Sequence, residues 1–158
     1  MNVVDSSGWL EFFASGPNVD FFRGPIRNIS ELIVPAISLY EVYKRLLQQT
    51  DKENALRALS IMKMGKVIDL NASLALDAAE ISIDFKIPMA DSIILATARQ
   101  YNATLWTQDS DFQGELRVFI ILAKSKRRVR PLPLLSESEK EYNEFEKQTT
   151  NRLNMLLV

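Results

Sequence analysis

Four acidic residues recur along this 158-residue chain in matching settings. Asp5 follows the apolar run 1–4, Glu41 comes shortly after 32–34, Asp91 opens an apolar helix-like stretch, and Asp109 follows 103–106. Three of the four follow, or nearly follow, a short strand-like run, and all four precede or begin a helix-like segment. In an open parallel α/β sheet such positions converge at the carboxyl edge of the strands, where ligands bind. Carboxylates gathered at one edge repel one another unless a hard cation neutralises them. The arrangement therefore predicts Mg²⁺ or Mn²⁺.

The composition narrows the chemistry further. The chain has no histidine and no cysteine. A Ser-His-Asp triad, a paired-histidine ribonuclease mechanism, a histidine-ligated zinc site and a thiolate metal site are all excluded. General base work at neutral pH falls to carboxylates or to metal-bound water. The lack of cysteine fits a reducing compartment.

Each acidic residue also has an ordinary explanation. Glu41 stands three residues after Ser38, the spacing of a capping box in which the glutamate bonds the backbone N–H of the cap. Asp91 suits the first turn of a helix, where it complements the dipole. Asp5 and Asp109 suit turns at strand ends. The conjunction is more specific than any member. Asp91 leads into Ser92-Ile93-Ile94-Leu95-Ala96-Thr97-Ala98, and a charge entering a buried helix is costly without a partner. Asp109 and Asp111 lie two positions apart, and their charges repel without a cation or donors between them. By contrast, Asp77, Glu80 and Asp84 share one side of a helix and read as a solvated face, and Asp69 is a decoy near a strand end.

The elements that must position these residues follow from periodicity and breakers. Strands are predicted at 2–4, 32–34, 66–70, 103–107 and 117–122. Helices are predicted at 8–13, 20–29, from Ser38 to about 49, 51–64, 72–85 behind Asn71 as N-cap, and from Pro88 to 101. Strands alternating with helices indicate an α/β fold with a mostly parallel central sheet and helices on both faces.

At 47% hydrophobic residues, the chain supports one domain with a substantial core. No apolar run approaches membrane-spanning length, and the N-terminal residues lack a signal-peptide pattern. A cytoplasmic protein is expected. Residues 1–123 hold 15 Asp and Glu against 11 Lys and Arg, a balance of −4, whereas 124–158 hold 5 against 8, a balance of +3. A body with this charge binds nucleic acid weakly through phosphates alone. Lys124, Lys126, Arg127, Arg128 and Arg130 form the one dense basic block, and Pro131-Leu132-Pro133 then precedes a second capping box at Ser136 and Glu139. The expected organisation is a sheet domain over 1–123 and a basic linker with a C-terminal helical extension over 124–158.

With these residues in place, the chain resembles a PIN-domain ribonuclease, specifically a VapC-type toxin of prokaryotic toxin–antitoxin pairs. The resemblance rests on Val3-Val4-Asp5-Ser6-Ser7, Ser38-Leu39-Tyr40-Glu41-Val42, Ala90-Asp91-Ser92-Ile93-Ile94-Leu95-Ala96-Thr97-Ala98 and Leu105-Trp106-Thr107-Gln108-Asp109-Ser110-Asp111-Phe112, in the family's order. It implies a PIN-like three-layer fold and metal-dependent hydrolysis of RNA phosphodiester bonds. The family's acidic quartet carries over as Asp5, Glu41, Asp91 and Asp109, with Ser7, Thr107 and Asp111 in support. Asp5 and Asp91 would hold Mg²⁺ or Mn²⁺, directly or through water, while Glu41 and Asp109 would hold further metal-bound waters, or a second ion, and orient the nucleophile. A cognate antitoxin and a homodimer are the implied partners. The extension beyond the fifth strand departs from the family pattern. The competing readings are a catalytically idle PIN-like module that binds RNA or protein, and a receiver-like phosphorylation switch. The latter wants an acidic pair where Asp5 is followed by Ser6 and Ser7.

Overall fold

A computed structural model describes residues 1–109 and 118–120, all within the compact unit Met1–Arg127. The sheet has five strands in the order β3-β2-β1-β4-β5. These are β1 (Asn2–Val4), β2 (Leu32–Pro35), β3 (Lys66–Ile68), β4 (Thr104–Thr107) and β5 (Val118–Ile120). All four pairings are parallel. The helices are α1 (Ser6–Phe13), α2 (Val19–Arg27), α3 (Ala36–Leu47), α4 (Lys52–Met62), α5 (Ala72–Phe85) and α6 (Met89–Gln100). The expected α/β architecture, a parallel sheet flanked by helices, is the one observed. The boundary near 123, the extension 124–158 and Asp111 lie outside the described residues.

Strand alternation sorts the core into two faces. Val3, Ile33, Ile68 and Leu105 join Leu74, Ala78 and Ile81 of α5 and Ile93 to Ala98 of α6 in one buried cluster. Val4, Leu32 and Val34 point the other way. The approach there is close at two glycines. A Cβ on Gly8 of α1 would lie 2.6 Å from the Phe22 ring and 2.8 Å from Val4, and one on Gly65 would lie 2.9 Å from Leu32. Small residues thus let α1 and the start of β3 sit tightly against their neighbours.

Local signals explain most helix starts. Asp5, Asp51 and Asn71 each cap a helix by accepting the backbone N–H three residues on, from Gly8, Asn54 and Leu74, a contribution of roughly 1 kcal/mol apiece. One expectation fails. Helix α3 begins at Ala36 with Pro35 as its N-cap, so Ser38 lies inside the helix and caps nothing. The Pro35 φ of −60° already suits a helix entry, and the helix therefore starts two residues before the serine. Ser38 is fully buried, and its hydroxyl has no hydrogen-bond partner.

Candidate active site

Asp5 is the structural centre of the site. It closes β1, opens α1 and is only 3% exposed. Its Oδ1 accepts the Ser7 hydroxyl at 2.7 Å and the Gly8 backbone N–H at 2.7 Å. Its Oδ2 accepts the Thr107 hydroxyl from the end of β4. Parallel pairing of β1 with β4 produces this meeting, because Val4 is in register with Trp106 and the Asp5 N–H donates to the Trp106 carbonyl at 3.1 Å. Asp5 and Thr107 therefore leave adjacent strands at the same level.

Thr107 connects two of the acids. Besides donating to Asp5, its Oγ1 accepts the backbone N–H of Asp109 at 2.9 Å. Burial pushes the Asp5 carboxyl above the ordinary carboxylate value, and the charge of Asp109 pushes it the same way. Hydrogen bonds from Thr107, Gly8 and Ser7 oppose the shift without cancelling it. Three donors orient this buried acid, while burial and a second acid act against its ionisation.

Glu41 reaches the same neighbourhood from α3. Its Oε2 accepts the Ser6 hydroxyl at 2.6 Å, and Ser6 follows Asp5 directly in the chain. The capping role expected for this glutamate is replaced by a contact spanning 35 positions. Asp91 sits in the first turn of α6, half-buried, with Ser92 buried behind it. Helix α6 packs against α3, β1 and β4, so the carrier of Asp91 borders the carriers of the other three acids. Asp69, Asp77, Glu80 and Asp84 are all exposed and belong to no such arrangement.

Two participants went unnoticed in the sequence. Ser6 holds Glu41. Gln108 donates its Nε2 to the Ser7 carbonyl at 3.3 Å and accepts from Asn18 Nδ2 at 3.2 Å, tying the end of β4 to the starts of α1 and α2. Their neighbours Asp5 and Asp109 were the only signal.

The donor set suits a hard divalent cation. Every candidate ligand is an oxygen, and a carboxylate offers about four lone-pair sites, of which Asp5 has committed three to donors. Among the described residues, no group of three or more acids is gathered closely enough to form a cage by itself. Mg²⁺ commonly takes one or two carboxylates and completes its shell with water and substrate phosphate, and an open, partial set of acids matches that habit.

Known proteins resemble the chain in sequence family and in fold. The family model described as "PIN domain" matches residues 3–114. No curated protein sequence matches the chain. Among solved structures, a toxin–antitoxin complex from Klebsiella pneumoniae superposes with a TM-score of 0.63 at 20% identity, covering 77% of this chain and 100% of that one. VapC20 of Mycobacterium tuberculosis, described as a Sarcin-Ricin loop cleaving toxin, gives a TM-score of 0.62 at 19% identity, covering 75% and 98%. FitAcB from Neisseria gonorrhoeae gives 0.59 at 20% identity, covering 75% and 96%.

Proposed function

The chain belongs to the PIN-domain family, and from that premise we propose that it is a divalent-metal-dependent endoribonuclease, the toxin of a toxin–antitoxin pair. The observation that carries the reading is the hydroxyl of Thr107, which holds the buried Asp5 and the Asp109 backbone together. A fold has little reason to bury an ionisable group beside a like charge unless a cation or substrate uses both.

Asp5, Asp91 and Asp109 are the residues that would hold Mg²⁺ or Mn²⁺, directly or through metal-bound water, and the ion when bound polarises a phosphate and lowers the pKa of water. Ser7 and Thr107 fix the Asp5 carboxylate in one orientation. Glu41, held by Ser6, is placed to orient the attacking water. One solved structure of this fold is described as a toxin–antitoxin complex, which supports a cognate antitoxin as partner. Among the described residues no helix is long and apolar enough to cross a membrane, in keeping with action on RNA in the cytoplasm. Exposed Tyr40 and Leu47 on α3 and Leu56 on α4 support a homodimer that covers these helices.

Cleavage of RNA by purified protein tests the reading. Cleavage should require Mg²⁺ or Mn²⁺ and cease in excess EDTA. Asp91→Asn should abolish it while thermal stability stays equal or rises, because one repelling charge is gone. Cleavage that survives EDTA, or is undiminished in Asp91→Asn, overturns the proposal.

A further inference from the structure

Beside the acids lies a group of aromatic side chains that the cleavage chemistry does not use. Trp106 stacks on Phe119 with ring centroids 5.0 Å apart and an interplanar angle of 17°. Phe21 of α2 meets the Trp106 ring edge-on at 5.1 Å. The indole is fixed from a third side, where its Nε1 donates to Asn2 Oδ1 at 2.9 Å. Phe119 is nevertheless 53% exposed. It lies on β5, the terminal strand of the sheet order, and a phenylalanine there with one face against an indole leaves its other face to solvent.

The location gives this patch a meaning. Trp106 immediately precedes Thr107, and its carbonyl accepts the Asp5 N–H. A strand advances about 3.3 Å per residue and sends successive side chains to opposite faces, so Trp106, with its register partner Phe119, lies one step behind Thr107 along β4 and projects to the sheet face opposite the one Leu105 packs on. Gln108 links the two regions, because it bonds Ser7 beside Asp5 and Asn18 at the start of α2, the helix that carries Phe21.

We propose that Phe119, backed by Trp106 and Phe21, is a nucleobase-stacking subsite that receives a base of single-stranded RNA while the neighbouring phosphate lies at the acids. The inference rests on the nuclease reading and extends it to how the substrate is held. Charge favours it over a purely phosphate-binding surface. Residues 1–123 carry −4 in balance, so the sheet body itself gains little affinity from counterion release, and stacking there would add to whatever the basic residues of 124–130 supply. Stacking on aromatic faces accepts every base.

Binding and cleavage tests separate the subsite from the nuclease chemistry. Titration with a single-stranded oligoribonucleotide should quench tryptophan fluorescence, and an abasic strand of equal length should not. Trp9 is fully buried and contributes a constant background, so the change reports on Trp106. Phe119→Leu should raise KM for RNA roughly tenfold, the size of one lost base–aromatic stack, and Phe119→Tyr should restore it. An RNA that quenches but is never cleaved supports the subsite and defeats the nuclease reading. Equal effects of the intact and abasic strands, or an unchanged KM in Phe119→Leu, overturn the subsite while cleavage stands. In that case the patch faces a protein.

Discussion

The Thr107 hydroxyl donates to the Asp5 carboxylate across 102 positions of sequence, adding a side-chain link to the backbone bond from the Asp5 N–H to the Trp106 carbonyl where β1 and β4 end. Thr107 is itself fully buried. Thr107→Val keeps the volume and removes both the donor to Asp5 and the acceptor for Asp109. An unfolding free energy lower by about 1–3 kcal/mol is expected from the orphaned groups. Because the lost bond held the Asp5 carboxyl down, the acidic limb of the pH–activity profile should move to higher pH. Urea melts and a pH–rate series check the two effects separately.

Asp5 itself makes stability depend on pH in an unusual direction. Its carboxyl is raised above the ordinary value of 3.8, so between that value and the raised one the folded chain holds more protons than the unfolded chain. Stability contributed by Asp5 is therefore full below the ordinary value and declines as pH rises through the raised value. Asp5→Asn keeps a good N-cap for Gly8 and removes the charge. At neutral pH the variant should be at least as stable as the parent, and the gap should close as the pH falls. A large loss of stability at neutral pH would instead make Asp5 a structural anchor.

A divalent cation should act on the same residue. Saturating Mn²⁺ should raise the melting temperature of the parent protein, with about 2.7 kcal/mol expected at a hundredfold excess over Kd. Asp5→Asn should show little of this shift. Equal shifts in both proteins would place the ion elsewhere.

Ser6→Ala isolates the orientation of Glu41. The half-buried bond it removes is worth about 1 kcal/mol of stability, so melts should change little. Misplacing a group that orients the nucleophile lowers kcat roughly tenfold to a hundredfold. An unchanged kcat would leave the Ser6–Glu41 contact as a simple link between α1 and α3.

Gly8→Ala tests how closely α1 must lie on the sheet. The added methyl would fall between Phe22 and Val4, within 2.8 Å of both. A loss of about 1–3 kcal/mol is expected from overpacking, and activity should fall with it, since the Gly8 N–H also holds Asp5. Denaturant melts read out the first effect.

Much of this arrangement could be read from the chain because strand ends announce themselves. Short apolar runs ending in an acid placed Asp5 and Asp109, and Pro88 marked the entry to α6, where Asp91 lies. Glu41 was harder. The Ser38–Glu41 spacing is identical whether the pair caps a helix or lies one turn inside it, and only the position of Pro35 separates the cases. Ser6 and Gln108 escaped notice because their roles depend on which residues fold opposite them, and side-chain chemistry alone does not reveal that. The Phe119 stack was equally hidden, since it depends on strand register.

The strand order also sets a clock on the ribosome. β1 is synthesised first but sits between β2 and β4, so the acid at its end acquires its β4 partner only once Thr107 has been made. At roughly 5–20 residues per second, translation of the intervening stretch takes on the order of 5–20 seconds. Throughout that interval the nascent chain carries Asp5 without the hydroxyl that orients it. Thr107 stands about two thirds of the way along the 158 residues, so Asp5 is without its orienting partner for most of the time the chain takes to be made.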